Sequence, residues 1–236
     1  MVKTSKVGPC WFLIIRDILS RMRKTPIIQN QYYHIYNRGT EKRKIFLDHN
    51  DYQRFLFLLY LCNGTEPVRI GNLSKDPHKI FSHDKGEQLV SIHAYSLMPN
   101  HFHLILEAKK GDTSISIFMQ KLITAYTMYF NIMNERSGVL FQGKYKSIHA
   151  GTDRYIQYLF AYIHANPFSS VTQKGNQFIL DIDKVMNFQY SSIKDYRSIE
   201  RPENAIIDKS FFKDDCVDDE SIKKYLELWL TYHSDE

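Results

Sequence analysis

His101 and His103 flank a phenylalanine in Met98-Pro99-Asn100-His101-Phe102-His103-Leu104-Ile105-Leu106, and Tyr162 stands four residues before Asn166 in Ala161-Tyr162-Ile163-His164-Ala165-Asn166-Pro167. Alternate side chains of a strand share a face, so both imidazoles point one way and Phe102 the other. Two such imidazoles can grip one divalent ion, and imidazole suits Mn, Zn and Fe. On a helix, Tyr162 and Asn166 lie one above the other. A phenol with a pKa near ~10 is a weak nucleophile at neutral pH unless a cation or metal stabilises the phenolate. An amide oxygen one turn away can help to hold that metal. Each motif also has an ordinary reading. Ten histidines in 236 residues produce a His-x-His about 0.4 times by chance, and an aromatic helix ended by Asn-Pro is common core architecture. The motifs gain meaning only together.

The elements that must position them follow from local pattern. Residues 32–38, rich in aromatic and β-branched types, predict a strand closed by Gly39. Asp48 or Asn50 caps a helix running to about Leu61, with Phe55, Leu58, Leu59 and Cys62 as its apolar stripe. Residues 64–86 read as a long loop or insertion. Strands over about 88–97 and 101–107 are joined by a tight Pro99-Asn100 connection. Residues 112–134 carry the helical period through Ile115, Phe118, Leu122, Ala125, Tyr129 and Met133. An extended stretch over 139–150 precedes a helix that begins at Gly151-Thr152-Asp153 and stops at Asn166, before Pro167. The order predicts an α+β fold. It is a ferredoxin-like βαββαβ antiparallel sheet with helices on one face, plus an appended helix bearing Tyr162 and a helical tail. An amphipathic helix around 220–232, with Ile222, Tyr225, Leu226 and Trp229, reads as a docking helix.

Composition bounds the partners. The chain is 43% hydrophobic and 14% aromatic, enough for one packed core with appendages. The formal charge is +5, unevenly spread. Residues 208–236 hold nine acidic and four basic side chains, so the preceding 207 residues carry +10. A basic body suits a polyanion. Cys10, Cys62 and Cys216 are too scattered for a disulfide framework or a cysteine zinc site, which points to a reducing cytoplasm. The apolar run at 11–15 is too short to be a signal core or a membrane span, and residues 10–22 read as a short basic amphipathic helix.

Four landmarks in order carry a family resemblance. They are Tyr33-His34-Ile35-Tyr36-Asn37-Arg38-Gly39, Met98-Pro99-Asn100-His101-Phe102-His103-Leu104, Phe141-Gln142-Gly143-Lys144-Tyr145-Lys146-Ser147, and Tyr162-Ile163-x-x-Asn166-Pro167. Residues from about 32 to 167 resemble the IS200-like single-tyrosine HUH transposases, and the last landmark is similar to their REP-associated branch. Insertion-sequence relatives usually carry Gln where Asn166 stands. The resemblance implies His101 and His103 as metal ligands, Asn166 as the third metal-binding side chain, Tyr162 as the nucleophile, and Mg²⁺ or Mn²⁺ as the ion. It implies a DNA transposase that cleaves and rejoins single-stranded or hairpin DNA, such as palindromic repeat elements, through a 5′-phosphotyrosine. A monomer is favoured over a homodimer. The expected division is a basic N-terminal extension at 1–28, the transposase domain at 29–170 and a C-terminal extension at 171–236.

Arg38, Arg43, Lys121, Lys144 and Lys146 are the candidate DNA contacts. His34, His93, His149 and His164 are read as structural histidines rather than members of the site. Two other activities fit the same residues: a catalytically silent protein that binds hairpin DNA, and a hydrolase using His101, His103 and a metal-bound water.

Overall fold

The computed structural model describes residues 26–67, 76–171, 178–197, 199–211 and 218–234. The helix expected over 10–22 lies outside them. Four strands form one antiparallel sheet: β1 (Tyr32–Arg38), β2 (Val90–Met98), β3 (His101–Ala108) and β4 (Lys146–Ala150), in the spatial order β2-β3-β1-β4. The two long helices among the connections are α1 (His49–Leu61), between β1 and β2, and α3 (Ser114–Met133), between β3 and β4. That order, with β3 inserted between β1 and β2, is the ferredoxin-like split βαβ expected from the element sequence.

Local chemistry sets the boundaries. Asp48 caps α1 by accepting from the backbone N–H groups of Asn50 and Asp51 at 2.8 and 3.1 Å. Thr152 caps α4 (Asp153–Ala165) through the N–H of Tyr155. Met98 pairs with His101, leaving Pro99 and Asn100 as a two-residue turn. Two expectations need correction. The stretch 64–86 holds a short helix, α2 (Pro77–Phe81), whose Asp76 cap and Pro77 supply a start signal inside an otherwise aperiodic segment. The extended stretch over 139–150 is regular only as β4. Gly143, at φ 69°, breaks it, and upstream only an isolated bridge joins Phe141 to Gly39.

The period-2 alternation of the strands builds two cores. Tyr33, Ile35, Tyr95, Leu97, Phe102, Leu104 and Leu106 pack with Phe55, Leu58 and Leu59 of α1 and with Phe118, Leu122 and Tyr126 of α3. On the other face, Ala94, Ile105 and Ala150 meet Ile156, Leu159, Phe160 and Ile163 of α4. This second core is completed by α5 (Ile182–Asn187), α6 (Ile193–Tyr196) and α7 (Asp219–Ser234), through Val185, Met186, Ile193, Tyr196, Ile222, Leu226 and Trp229. A small hairpin of β5 (Ser169–Val171) and β6 (Phe178–Leu180) follows α4. The segment around Tyr190–Ser192 runs along β2, with Ser191 bridging Ser96 and Tyr190 accepting from the Leu97 N–H at 3.0 Å.

The tail helix thus clamps α4 to the sheet. Leu226→Ala, at a fully buried position, is expected to destabilise the protein by about 2–5 kcal/mol, seen as a lower urea midpoint at an unchanged slope.

Candidate functional site

The alternation that sends Phe102 into the α1/α3 core turns His101 and His103 towards α4. Tyr36 pairs with His103 and Arg38 with His101 across β1 and β3, so all four share that face. Tyr162 comes down on the same group. Its ring lies edge-on to those of His103 and His34, at 5.6 and 5.9 Å between centroids. Asn166, the residue that caps the C-terminus of α4, places its Nδ2 3.1 Å from His103 Nε2 and 3.5 Å from the Tyr162 hydroxyl. One amide therefore reaches both chemical partners, and every group comes from a single chain.

His101 stands beside His103 with ring centroids 5.2 Å apart. Its Nδ1 meets the Asn100 side-chain oxygen at 2.6 Å. Asn100 is fixed in turn by the loop after β1. Its backbone oxygen accepts from Gly39, and its amide donates to the Lys42 carbonyl at 3.4 Å. That loop bends sharply, with Glu41 and Lys42 at φ 55° and 60°, in the left-handed region that non-glycine residues rarely occupy.

His34, read from the sequence as a structural histidine, lies against the pair. It is buried, its Nε2 lies 2.7 Å from His103 Nδ1, and the two rings stack at 4.9 Å. Tyr36 stacks on both imidazoles, at 5.0 and 5.5 Å. The period-2 spacing of His34 and Tyr36 on β1 was the available signal, but it names a face and not a neighbour. The other three histidines are structural. His93 sits between Glu107 and the Asp208 carbonyl. His149 meets Gln31, and His164 donates to the Phe160 carbonyl and contacts Ser192.

Burial sets the electrostatics. Desolvation pushes His34 down to about 3 and holds His103 well below the usual histidine range, with its neighbours His34 and His101 adding to the effect. His101 is lowered by desolvation and then by the charge of Arg38. The imidazoles are neutral, with lone pairs available to a metal. Tyr162 is raised above the ordinary phenol value, first by burial and then by Tyr36. Phenolate at this position needs a cation.

The basic candidates divide. Arg38 is exposed beside His101, its Nε held by Gln142 at 2.5 Å. Lys146 is exposed on β4 opposite Tyr36, on the site's own face, and Lys144 is exposed in the loop before it. Arg43 lies in the turn after β1, paired with Glu41 at 3.6 Å. Lys121 is not brought to the site. It is on α3, across the sheet, and its ammonium donates to the carbonyls of Gly64 and Glu66. Its sequence position beside an apolar stripe could not reveal that engagement.

The chain is a transposase. It belongs to the IS200-like family, whose model matches residues 27–166 and so ends on Asn166. No curated protein matches the chain. A solved structure, that of a REP-associated tyrosine transposase bound to a REP hairpin, is similar at 12% identity, with 77% of this chain and 88% of that chain covered and a TM-score of 0.49. Family membership makes the protein a DNA-processing enzyme, of a kind that generally depends on a metal ion. The donor set fits one. Two neutral imidazoles and an amide suit a borderline divalent ion such as Mn²⁺ better than Mg²⁺, which prefers oxygen. Among the described residues no helix is long and apolar enough to cross a membrane.

Lys144→Ala and Lys146→Ala are each expected to weaken single-stranded DNA binding and to lower the slope of log affinity against log salt by about 0.7. Lys121→Met should leave that slope unchanged and reduce thermal stability instead. Fluorescence anisotropy across a salt series, with a melting curve for each variant, separates the two behaviours.

Proposed function

We propose that the protein cleaves and rejoins single-stranded or hairpin DNA, with Tyr162 as the nucleophile, in a reaction that depends on a divalent ion held by His101, His103 and Asn166. The observation that carries this reading is the convergence of phenol, amide and imidazole on one face, with Asn166 touching both His103 and Tyr162. When bound, the ion would polarise a non-bridging oxygen of the target phosphate and favour phenolate over phenol.

The residues of the chain do the rest. Tyr162 Oη bonds to phosphorus in line with the departing 3′ oxygen, forming a 5′-phosphotyrosine and a free 3′-hydroxyl, and the proton lost by the phenol is matched by one gained at that oxygen. The phosphodiester bond is exchanged rather than hydrolysed, so a second 3′-hydroxyl can reverse the step without ATP. Arg38, with its guanidinium steered by Gln142, is placed to bind a phosphate next to the reacting one. Lys144 and Lys146 extend this positive rim, and the exposed Arg43 is a more distant contact. A half-buried phenol on a helix close over a sheet favours an unpaired strand, whose phosphate can enter without a complementary strand in the way.

A labelled single-stranded hairpin oligonucleotide tests the reading. Wild-type protein with Mn²⁺ should give a covalent adduct stable to denaturation. Tyr162→Phe and EDTA should each abolish it, and His103→Ala should reduce it at least a hundredfold. Binding with no adduct under any condition would identify a catalytically silent hairpin-binding protein. Cleavage that survives Tyr162→Phe would identify a hydrolase using bound water. Because Tyr162 sits over the histidines of its own chain, mixing Tyr162→Phe with His103→Ala protein should not restore the adduct. Restoration would show that subunits exchange the α4 helix.

A further inference from the structure

We propose that His34 is a positioning residue for the paired-histidine centre: it accepts the Nδ1 proton of His103 and so keeps the Nε2 lone pair of His103 directed towards the ion site. The proposal rests on the metal-dependent reading above and deepens it. A neutral imidazole carries one N–H and one lone pair, and the partner at one nitrogen decides the role of the other. At His103 Nε2 the neighbour is the Asn166 amide nitrogen, at 3.1 Å, which can only donate. With the amide turned this way, Nε2 is assigned as the acceptor and the proton to Nδ1, and the group facing Nδ1 at 2.7 Å is His34 Nε2.

The surroundings enforce the arrangement. His103 and His34 are both buried, which limits the acceptors within reach of the Nδ1 proton. Tyr36 stacks on both rings, within 22° and 27° of their planes, which opposes ring rotation. His101 shows the same device with a different partner, its Nδ1 meeting the Asn100 side-chain oxygen at 2.6 Å. Both candidate ligands thus have a partner at Nδ1, and Nε2 of His103 faces the Asn166 amide. Such partners orient a ligand and raise its basicity, and losing one typically lowers metal affinity 10- to 100-fold (order of magnitude). Without His34, His103 can move its proton to Nε2 or turn over, and either change removes the donor.

The test uses the full chain with ¹⁵N-labelled histidine and two variants, His34→Phe, which keeps a ring without an acceptor, and His34→Gln, which returns an amide oxygen. In the metal-free wild type, long-range ¹H–¹⁵N spectra should show His103 protonated at Nδ1. Mn²⁺ affinity, read from free-ion paramagnetic resonance, should fall at least about tenfold in His34→Phe and recover largely in His34→Gln. Circular dichroism reports whether each variant folds. If His34→Phe does not fold, the wild-type spectrum and His34→Gln decide alone.

Three results overturn the proposal: a proton on Nε2 of His103 in the wild type, Mn²⁺ affinity in folded His34→Phe within twofold of wild type, or a folded His34→Gln that binds as weakly as His103→Ala. A wild type that binds no Mn²⁺ also overturns it. With His103 still protonated at Nδ1, that failure lies in the metal reading rather than in the hydrogen bond.

Discussion

Strand β3 divides the molecule in two. Its even-numbered residues, Phe102, Leu104 and Leu106, feed the core under α1 and α3, whereas His101, His103 and Ile105 face α4. The division is strict because strand side chains alternate with period two, so a slip of one residue would bury both histidines among phenylalanines and leave Phe102 in the site. The register with β1 and β2 is consequently a chemical constraint as well as a structural one. Apolar packing on the far face resists that slip, since Phe102 contacts Phe55 and Phe141 at 5.1 and 5.9 Å between ring centroids.

The same enclosure sets the protonation of the site. Burial withholds protons from His34 and His103 and retains the proton of Tyr162. Both effects have one cause, the loss of water around groups that must otherwise share charge with it. Neutral imidazoles are good donors to a metal, and a protonated phenol is a poor nucleophile. A divalent ion bound as proposed would change the second condition by using the first. In the reaction proposed for Tyr162, nucleophile activation would be coupled to ion binding, and Asn166 touches a member of each half, His103 and Tyr162.

Much of this was legible in the residues. The His-x-His alternation, the four-residue spacing of Tyr162 and Asn166, the Asp48 and Thr152 caps and the Pro99-Asn100 turn are local properties, and the structure retains them. The split βαβ order followed from counting elements. His34 was hidden because pairing between β1 and β3 joins residues 69 apart, and alternation says nothing about partner strands. Lys121 was hidden for a related reason. Its ammonium engages carbonyls 57 and 55 residues away, which a helical stripe cannot announce. The broken strand before Lys146 turned on one left-handed glycine within a sequence of otherwise extended character.

The tail that closes over the second core has a further consequence. The family match stops at Asn166, yet Leu159, Phe160 and Ile163 of α4 are buried partly by Val185, Ile193, Leu226 and Trp229, and Tyr190–Ser192 occupies hydrogen-bonding positions along β2. A fragment cut after the matched stretch would bare a greasy helix flank and an unpaired row of amides at once, a combination that invites self-association. The matched portion is packed against the late residues along both α4 and β2. The late residues thereby cover an apolar flank and a strand edge that would otherwise face solvent.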